Sequence, residues 1–494
     1  MGKDIYRSRL EKPLDEKVLE FISSLEEDLW IIKEDIIGTE VHNIMLYEQK
    51  MLNKNEIKLI LKALEHIKEK VLKNQFELDR NFEDIHPLIE KLVIDEIGID
   101  IGGKIHTGRS RNDQVSVDMR LKIREELNRI SNGLFNLFDV LINVSKNNIE
   151  SFFPLYTHLQ SGQLGVFAHY INYYNAQLLR SLERIEEIYK RINMNPLGAC
   201  AIGGTSINID RKRTAELLGF EGIIENSIDA ISSRDYVYET LMSLSLIAIQ
   251  FSRIAEDLLL WSSREFGFIE LDDKYCSVSS VMPQKKNPDV IELIRSKSSK
   301  IVSNSFSASM IIKAIPSGYF RDFQDLKMLL KSSFDLVLSI IDMCIGIFST
   351  IKINKDRAIQ VINESFILAL DLAEFLVQDY GIPFRQSHQI VANLVKGSQN
   401  SSDMFNKAKI ERTIFEITKK KINISEENIA SIKDLKQCLN KRISFGSPSK
   451  EQVEIAIKSL EEKENPLFNH YLKRIEKIKY TKDLREDLIK DLIS

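Results

Sequence analysis

Apolar residues return at three- and four-residue intervals along almost the whole of this chain, and that periodicity confines it to a helical fold. Leu241, Leu244, Ile247, Phe251 and Ile254 form one such stripe; Leu19, Ile22, Leu25 and Leu29 form another. This spacing lays apolar side chains along one face of an α-helix. Period-two alternation flanked by turn pairs, the mark of strands, is nearly absent. Gly (20) and Pro (10) are scarce for 494 residues, so turns are few and elements long. The chain reads as all-α, with only Cys200 to Ile209 and a stretch near Phe266–Leu271 non-helical for any length.

A chain of this length exceeds what one core supports, so two or three lobes are expected. Segments between roughly 230 and 355 are apolar on more than one face, which suits a bundle of long helices shared between subunits. The flanking thirds are more charged and more broken. The expected division is 1–110, 111–360 and 361–494.

Composition excludes several classes. Lys and Arg (68) nearly balance Asp and Glu (72), and the basic residues are spread along the chain, so no nucleic-acid-binding face is expected. Cys200, Cys276, Cys344 and Cys438 lie far apart without a Cys-x-x-Cys pair, so isolated buried thiols are expected rather than disulfides or a metal site. Met1 to Tyr6 contain no apolar core of a secretory signal. The apolar stretch Leu336–Ile353 is interrupted by Asp342, and a second, ending at Trp261, carries Arg253, Glu256 and Asp257, so neither reads as a membrane span. A cytoplasmic, soluble protein is expected.

Four polar segments break the core-helix pattern, each where a loop meets a helix. In His106-Thr107-Gly108-Arg109-Ser110-Arg111-Asn112-Asp113-Gln114, residues suited to capping precede a helix expected from about Asp113 to Ile149. Free N–H groups at a helix start, with Arg109 and Arg111 beside them, suit a carboxylate or phosphate. Thr157-His158-Leu159-Gln160 has the spacing of a capping box, which would put His158 in a first helical turn as a potential acid or base. Ser232-Ser233-Arg234-Asp235 reads as a cap or a second carboxylate clamp. Ser279-Ser280-Val281-Met282-Pro283-Gln284-Lys285-Lys286-Asn287-Pro288 is a loop able to deliver a hydroxyl and an ammonium, with Asn287 and Pro288 as N-cap and first residue of the next helix.

The first and fourth strings resemble argininosuccinate lyases, and the fourth matches the wider aspartase, fumarase and adenylosuccinate lyase superfamily. Further similarity runs through Glu83-Asp84-Ile85-His86, Thr157-His158-Leu159-Gln160, Asp210-Arg211, Asn226-Ser227-Ile228-Asp229-Ala230, Gly381-Ile382-Pro383-Phe384-Arg385 and Arg442 through Gly446-Ser447-Pro448. The resemblance implies a homotetramer with active sites shared between subunits, and cleavage of argininosuccinate to arginine and fumarate without metal or organic cofactor. It further implies Ser279 as the group that takes the proton beside the succinyl carboxylate. Lys285 and Asn287 would stabilise the resulting dianion, and His158, oriented by Glu292, would deliver a proton to the leaving nitrogen. Ser110, Arg111, Asn112 and Thr157 resemble fumarate-side contacts, with Arg234 nearby. Ser24, Asp28, Asp84, Tyr319, Gln324 and Lys327 resemble contacts to the rest of the substrate.

Three stretches depart from the family pattern. Ser277-Val278 replace the usual Thr-Gly, so either the loop takes another path or that glycine never needed positive φ. Ser161-Gly162-Gln163-Leu164 stand where Ala-Gln-Pro is usual, and Tyr6-Arg7-Ser8-Arg9-Leu10 does not match the N-terminal family element. Two other functions compete: a paralogue releasing fumarate from another N-substituted aspartate, and a structural, crystallin-like protein. Asp28, Asp84, Tyr319 and Gln324 argue against the first; Ser279, Lys285, His158 and Glu292 argue against the second.

Overall fold

A computed structural model describes Arg9, Lys12 and residues 14–494; the rest of Tyr6–Leu10, and Met1–Tyr6, lie outside the described residues. The chain is 69% helical. Its principal helices are α1 (Ile32–Glu48), α2 (Lys54–Leu72), α3 (Ile85–Ile97), α4 (Arg111–Lys146), α5 (Phe167–Ile192), α6 (Asp235–Ser262), α7 (Asp289–Ile312), α8 (Asp325–Thr350), α9 (Lys355–Glu364), α10 (Ala369–Tyr380), α11 (Phe384–Lys396), α12 (Lys407–Thr418) and α13 (Lys450–Ile493).

Helices α4 to α8 form the central bundle: α4 packs on α5 and α8, α6 on α5, α7 and α8, and α7 on α8. Leu241, Leu244, Ile247, Phe251 and Ile254 are all buried, as their periodicity requires. By length and hydropathy the helical run Arg321–Thr350 suffices to cross a membrane. Leu330, Phe334, Val337 and Ile341 of that run are fully buried in the bundle core. Helix α1 packs on α4, α2 and α3 pack on α1 and on each other, and α13 returns along α5, α4 and α2.

Three expectations need correction. The stripe Leu19, Ile22, Leu25, Leu29 is not one helix: Glu16–Ile22 ends at Ser23, a separate turn Leu25–Asp28 follows, and of the four only Leu25 is buried. The helix expected from Asp113 begins at Arg111 and ends at Lys146. Residues 152–166 form a β-hairpin, strands β1 (Phe152–Thr157) and β2 (Gln160–Val166), which apolar periodicity did not reveal. Its base is anchored by Phe153 against Phe167, Trp261 and Phe268 at ring separations of 5.1–5.3 Å, so aromatic packing outweighs local pattern here. All four cysteines are free; Cys344 and Cys438 are buried, Cys200 and Cys276 half-buried.

Candidate active site

The start of α4 is built by its own sequence. Ser110 adopts extended backbone and its Oγ accepts the Asn112 N–H at 3.3 Å, while Asp113 accepts the Ser110 N–H at 2.9 Å, which closes a capping box. The other Asp113 oxygen accepts N–H groups of Gly198 (2.9 Å) and Cys200 (2.8 Å), pinning the non-helical segment beside the helix start. Gly198 has φ +88°, and a Cβ there would meet Arg211 Cγ at 2.7 Å, so no larger residue fits. Burial pushes the Asp113 carboxyl up to about 6 against the pull of those N–H groups. Asn112 Nδ2 donates to the Ala201 carbonyl at 2.9 Å.

Beneath Arg111 lies a dense charge cluster. Asp84 caps α3 by accepting the His86 N–H at 3.1 Å, accepts again from His86 Nδ1 at 2.9 Å, and receives Arg111 Nη1 at 2.7 Å. Asp28 accepts the Ser24 hydroxyl at 2.9 Å and pairs with Lys327 Nζ; the Asp28 and Lys327 side chains are both fully buried. On its far side His86 Nε2 reaches Asp118 at 3.1 Å and lies 3.9 Å from Asp35, which in turn accepts from Gln114 Nε2 at 3.0 Å. Burial disfavours a charged imidazole, but Asp35, Asp118 and Asp84 outweigh it and hold His86 well above its ordinary range. Burial likewise opposes ionisation of Asp84, yet His86, Arg111 and Lys327 keep its carboxyl well below the usual range.

Ser24, Asp28, Asp84, Ser110, Arg111, Asn112 and Lys327 therefore share one neighbourhood. Tyr319 borders it near Arg111, and its buried hydroxyl has no hydrogen-bond partner among the described residues. Gln324 stands at the N-cap position of α8, half-buried and without a side-chain cap bond, and Arg234 turns inward, with its guanidinium 4.5 Å over Phe323 and Nη1 donating to Ile231 and Ser233 carbonyls. Arg234 thus shores up the turn Arg321–Gln324. Sequence reading passed over Glu83, His86, Asp35, Asp118 and Arg321 as site residues. The signal for two of them was present: acids at 35 and 118 fall on buried helix faces, where a carboxylate requires a partner. Asp28, Asp84 and His86, like Asp35, His86 and Asp118, bring ligating atoms within 4.8 Å; Lys327 and Arg111 pair with the first set, while Asp35 Oδ2 and Asp118 Oδ1 have no hydrogen-bond partner among the described residues.

The remaining predicted residues are elsewhere on the surface. Thr157 and Gln160 are not a capping box; they pair across the hairpin, and His158 and Leu159 form its two-residue loop with φ 55° and 56°. A two-residue loop of this handedness matches the twist of the strands, and this is why the pattern became a turn rather than a helix start. His158 is exposed at the tip.

The loop 279–285 closes on a short ladder, Ser277–Val278 paired with Lys286–Asn287. Val278 is thus an extended strand residue, a conformation β-branched side chains favour, and needs no glycine. Asn287 is correspondingly a strand residue and not an N-cap; α7 begins at Asp289 after Pro288. Ser279 Oγ accepts the N–H of Met282 at 3.0 Å and of Val281 at 3.3 Å, and its own N–H donates to the Lys285 carbonyl at 3.4 Å. Lys285 and Glu292 are exposed. Among the described residues no hydrogen bond or ion pair joins Ser279, Lys285, Asn287 or Glu292 to His158, or either group to the Asp84 cluster. A cleft of about 940 Å³ between α4, α8 and α13 contains none of these residues.

The long-helix bundle is the fold of the fumarase and aspartase superfamily of lyases. The family model described as Lyase matches residues 8–303, and that described as Argininosuccinate lyase C-terminal matches residues 366–440. An argininosuccinate lyase of Nitrosopumilus maritimus is 42% identical over 446 residues, 90% of each chain. One from Methanocaldococcus jannaschii is 38% identical over 480 residues, 97% of this chain and 98% of its own. The solved structure of an EDDS lyase in complex with formate matches with a TM-score of 0.86 at 26% identity, covering 94% of this chain and 92% of that one. The chain belongs to the argininosuccinate lyase family.

Proposed function

We propose that this protein splits argininosuccinate reversibly into L-arginine and fumarate, with Ser279 as the base. The observation that carries the mechanism is the pair of backbone N–H groups, from Val281 and Met282, aimed at Ser279 Oγ. An unperturbed hydroxyl is a poor base; two donors preorganised on its oxygen favour the alkoxide, and Lys285 adds a cation on the same loop. The alkoxide takes the proton from the carbon beside the succinyl carboxylate. The alkoxide's electron pair forms the new O–H bond, and the C–H electron pair passes into a dianionic intermediate held by Lys285 and Asn287 and then forms the C=C bond of fumarate as the C–N bond breaks. The leaving guanidinium nitrogen keeps the C–N electron pair and receives a proton from His158, which Glu292 orients. Developing negative charge on a carboxylate is what fixed cations stabilise best, and loss of one such donor costs on the order of 10²–10³ in rate.

Arg111, Ser110, Asn112 and Thr157 take the fumarate half; Ser24, Asp28, Asp84, Tyr319, Gln324 and Lys327 take the rest. The separation of Ser279 and His158 from the Asp84 cluster supports a homotetramer with sites completed between subunits. So do the apolar residues left exposed on α6 (Met242, Leu246, Ile249) and α7 (Leu293, Phe306, Met310). The division 1–110, 111–360 and 361–494 and a cytoplasmic location complete the reading. The test is fumarate absorbance with argininosuccinate, adenylosuccinate and aspartate offered in turn. Release from argininosuccinate alone, abolished in Ser279→Ala while substrate still binds, is expected; wild-type turnover in that variant removes Ser279 from the mechanism.

A further inference from the structure

Two guanidinium groups and two carboxylates meet where the 3₁₀ turn Arg321–Gln324 approaches the start of α4. Arg321 Nη2 lies 2.5 Å from Glu83 Oε2 and 3.9 Å from Asp84 Oδ2; Arg111 Nη1 lies 2.7 Å from Asp84 Oδ2 and 3.6 Å from Glu83 Oε2. The two acids are not equivalent. The Asp84 side chain is 2% exposed and fixed three ways: it caps α3, accepts from His86 Nδ1, and accepts from Arg111. The Glu83 side chain is 30% exposed, and among the described residues its partners are the Arg111 and Arg321 guanidiniums. Its backbone carbonyl accepts the Ser24 N–H at 2.9 Å.

A carboxylate that faces two arginines at the accessible edge of a site, near a Tyr319 hydroxyl buried with no partner among the described residues, occupies the place a ligand carboxylate would take. We propose that Arg321 is a specificity-determining residue that binds the α-carboxylate of the arginine half of the substrate, and that Glu83 holds its place until the substrate displaces it. This rests on the reading of the function given above. Exchange of one carboxylate for another leaves the charge balance of the cluster unchanged, and a pair this exposed is weak enough to give way. The half is assigned by position: Arg321 shares its turn with Gln324 and follows Tyr319 and precedes Lys327 along the chain, the groups assigned to that half, while Arg111 remains with Asp84 at the helix start.

Steady-state kinetics of the intact enzyme with argininosuccinate test this. Arg321→Met should raise KM about tenfold or more, the loss of one charge-assisted hydrogen bond, with a smaller effect on kcat. Arg321→Lys should recover part of the loss. Product inhibition by L-arginine should weaken in Arg321→Met while that by fumarate stays within twofold, roughly the scatter of a rim contact. Glu83→Gln, which leaves a weaker competitor in place, should lower KM by about two- to fivefold. An unchanged KM in Glu83→Gln overturns the proposal even where Arg321→Met fails to fold, and so does weakened fumarate inhibition with arginine inhibition intact. Should Arg111→Met abolish binding while both other variants behave as wild type, this inference fails and the function stands. Absence of fumarate release by the wild-type enzyme overturns the function itself.

Discussion

At the scale of single residues, the buried charges carry the most consequence. Asp28 and Lys327 bind one another across nearly 300 positions of chain with almost no exposure to water. Removing one partner of such a pair leaves an uncompensated buried charge, at a cost of about 3–5 kcal/mol. Lys327→Met should therefore lower the melting temperature clearly, and Asp28→Asn added to it should recover part of the loss; an unchanged melting curve for the single variant would refute the account. The hairpin tip presents the opposite case. Leu159 holds φ 56° in a residue 62% exposed, so little burial repays the strain. Leu159→Gly should stabilise the fold by about 1 kcal/mol, seen as a higher denaturation midpoint. Lower stability would mean that the Leu159 side chain is covered by another subunit. Sequence reading found Asp28 and Asp84 through resemblance alone. For Asp35 and Asp118, which face His86 from the other side, the helical pattern shows that the acids are buried but not which groups they meet in space.

At the scale of elements, helices were legible where burial and local propensity agree. The stripe of α6 and the Ser110 cap of α4 are examples. The hairpin 152–166 was not, since its strands are held by the Phe153 aromatic contacts from α6 and beyond, which lie about 100 positions away in sequence. The Ser279 loop was legible as chemistry but not as geometry: the short ladder Ser277–Val278 with Lys286–Asn287 moved Asn287 out of its expected cap. Packing of α1 on α2 offers a pH test. Glu40 of α1 is fully buried and reaches Lys68 of α2 at 2.8 Å. Burial outweighs the lysine and pushes its carboxyl from 4.5 up to about 7. A carboxyl raised in the folded state binds its proton more tightly there than in the unfolded chain. The stabilisation is thus complete below pH 4.5 and is lost as pH rises towards 7. Glu40→Gln carries no such proton, so between pH 5 and pH 8 the wild type should lose stability relative to it, by an amount on the order of 3 kcal/mol at most. Parallel melting profiles for the two proteins would exclude the effect.

At the scale of the whole molecule, one chain supplies an acid–arginine cluster around Arg111 and Asp84, a serine loop and a hairpin histidine, and among the described residues no hydrogen bond or ion pair connects the three. It also leaves α7 with Phe306 70% and Met310 49% exposed, apolar surface that a lone globular chain would be expected to cover. If subunits pair through this face, Phe306→Asp should dissociate the assembly, measured by light scattering, and abolish fumarate release together with it. A catalytically competent monomer would contradict shared sites. The sharper experiment mixes two inactive variants, Ser279→Ala and His158→Gln. Where Ser279 and His158 of one site come from different subunits, random assortment leaves about a quarter of sites with both groups intact, so co-refolded mixtures should regain roughly that share of wild-type turnover. Each variant refolded alone should stay inactive. Were both residues supplied by one chain, every site in the mixture would lack one of them, and no activity would return.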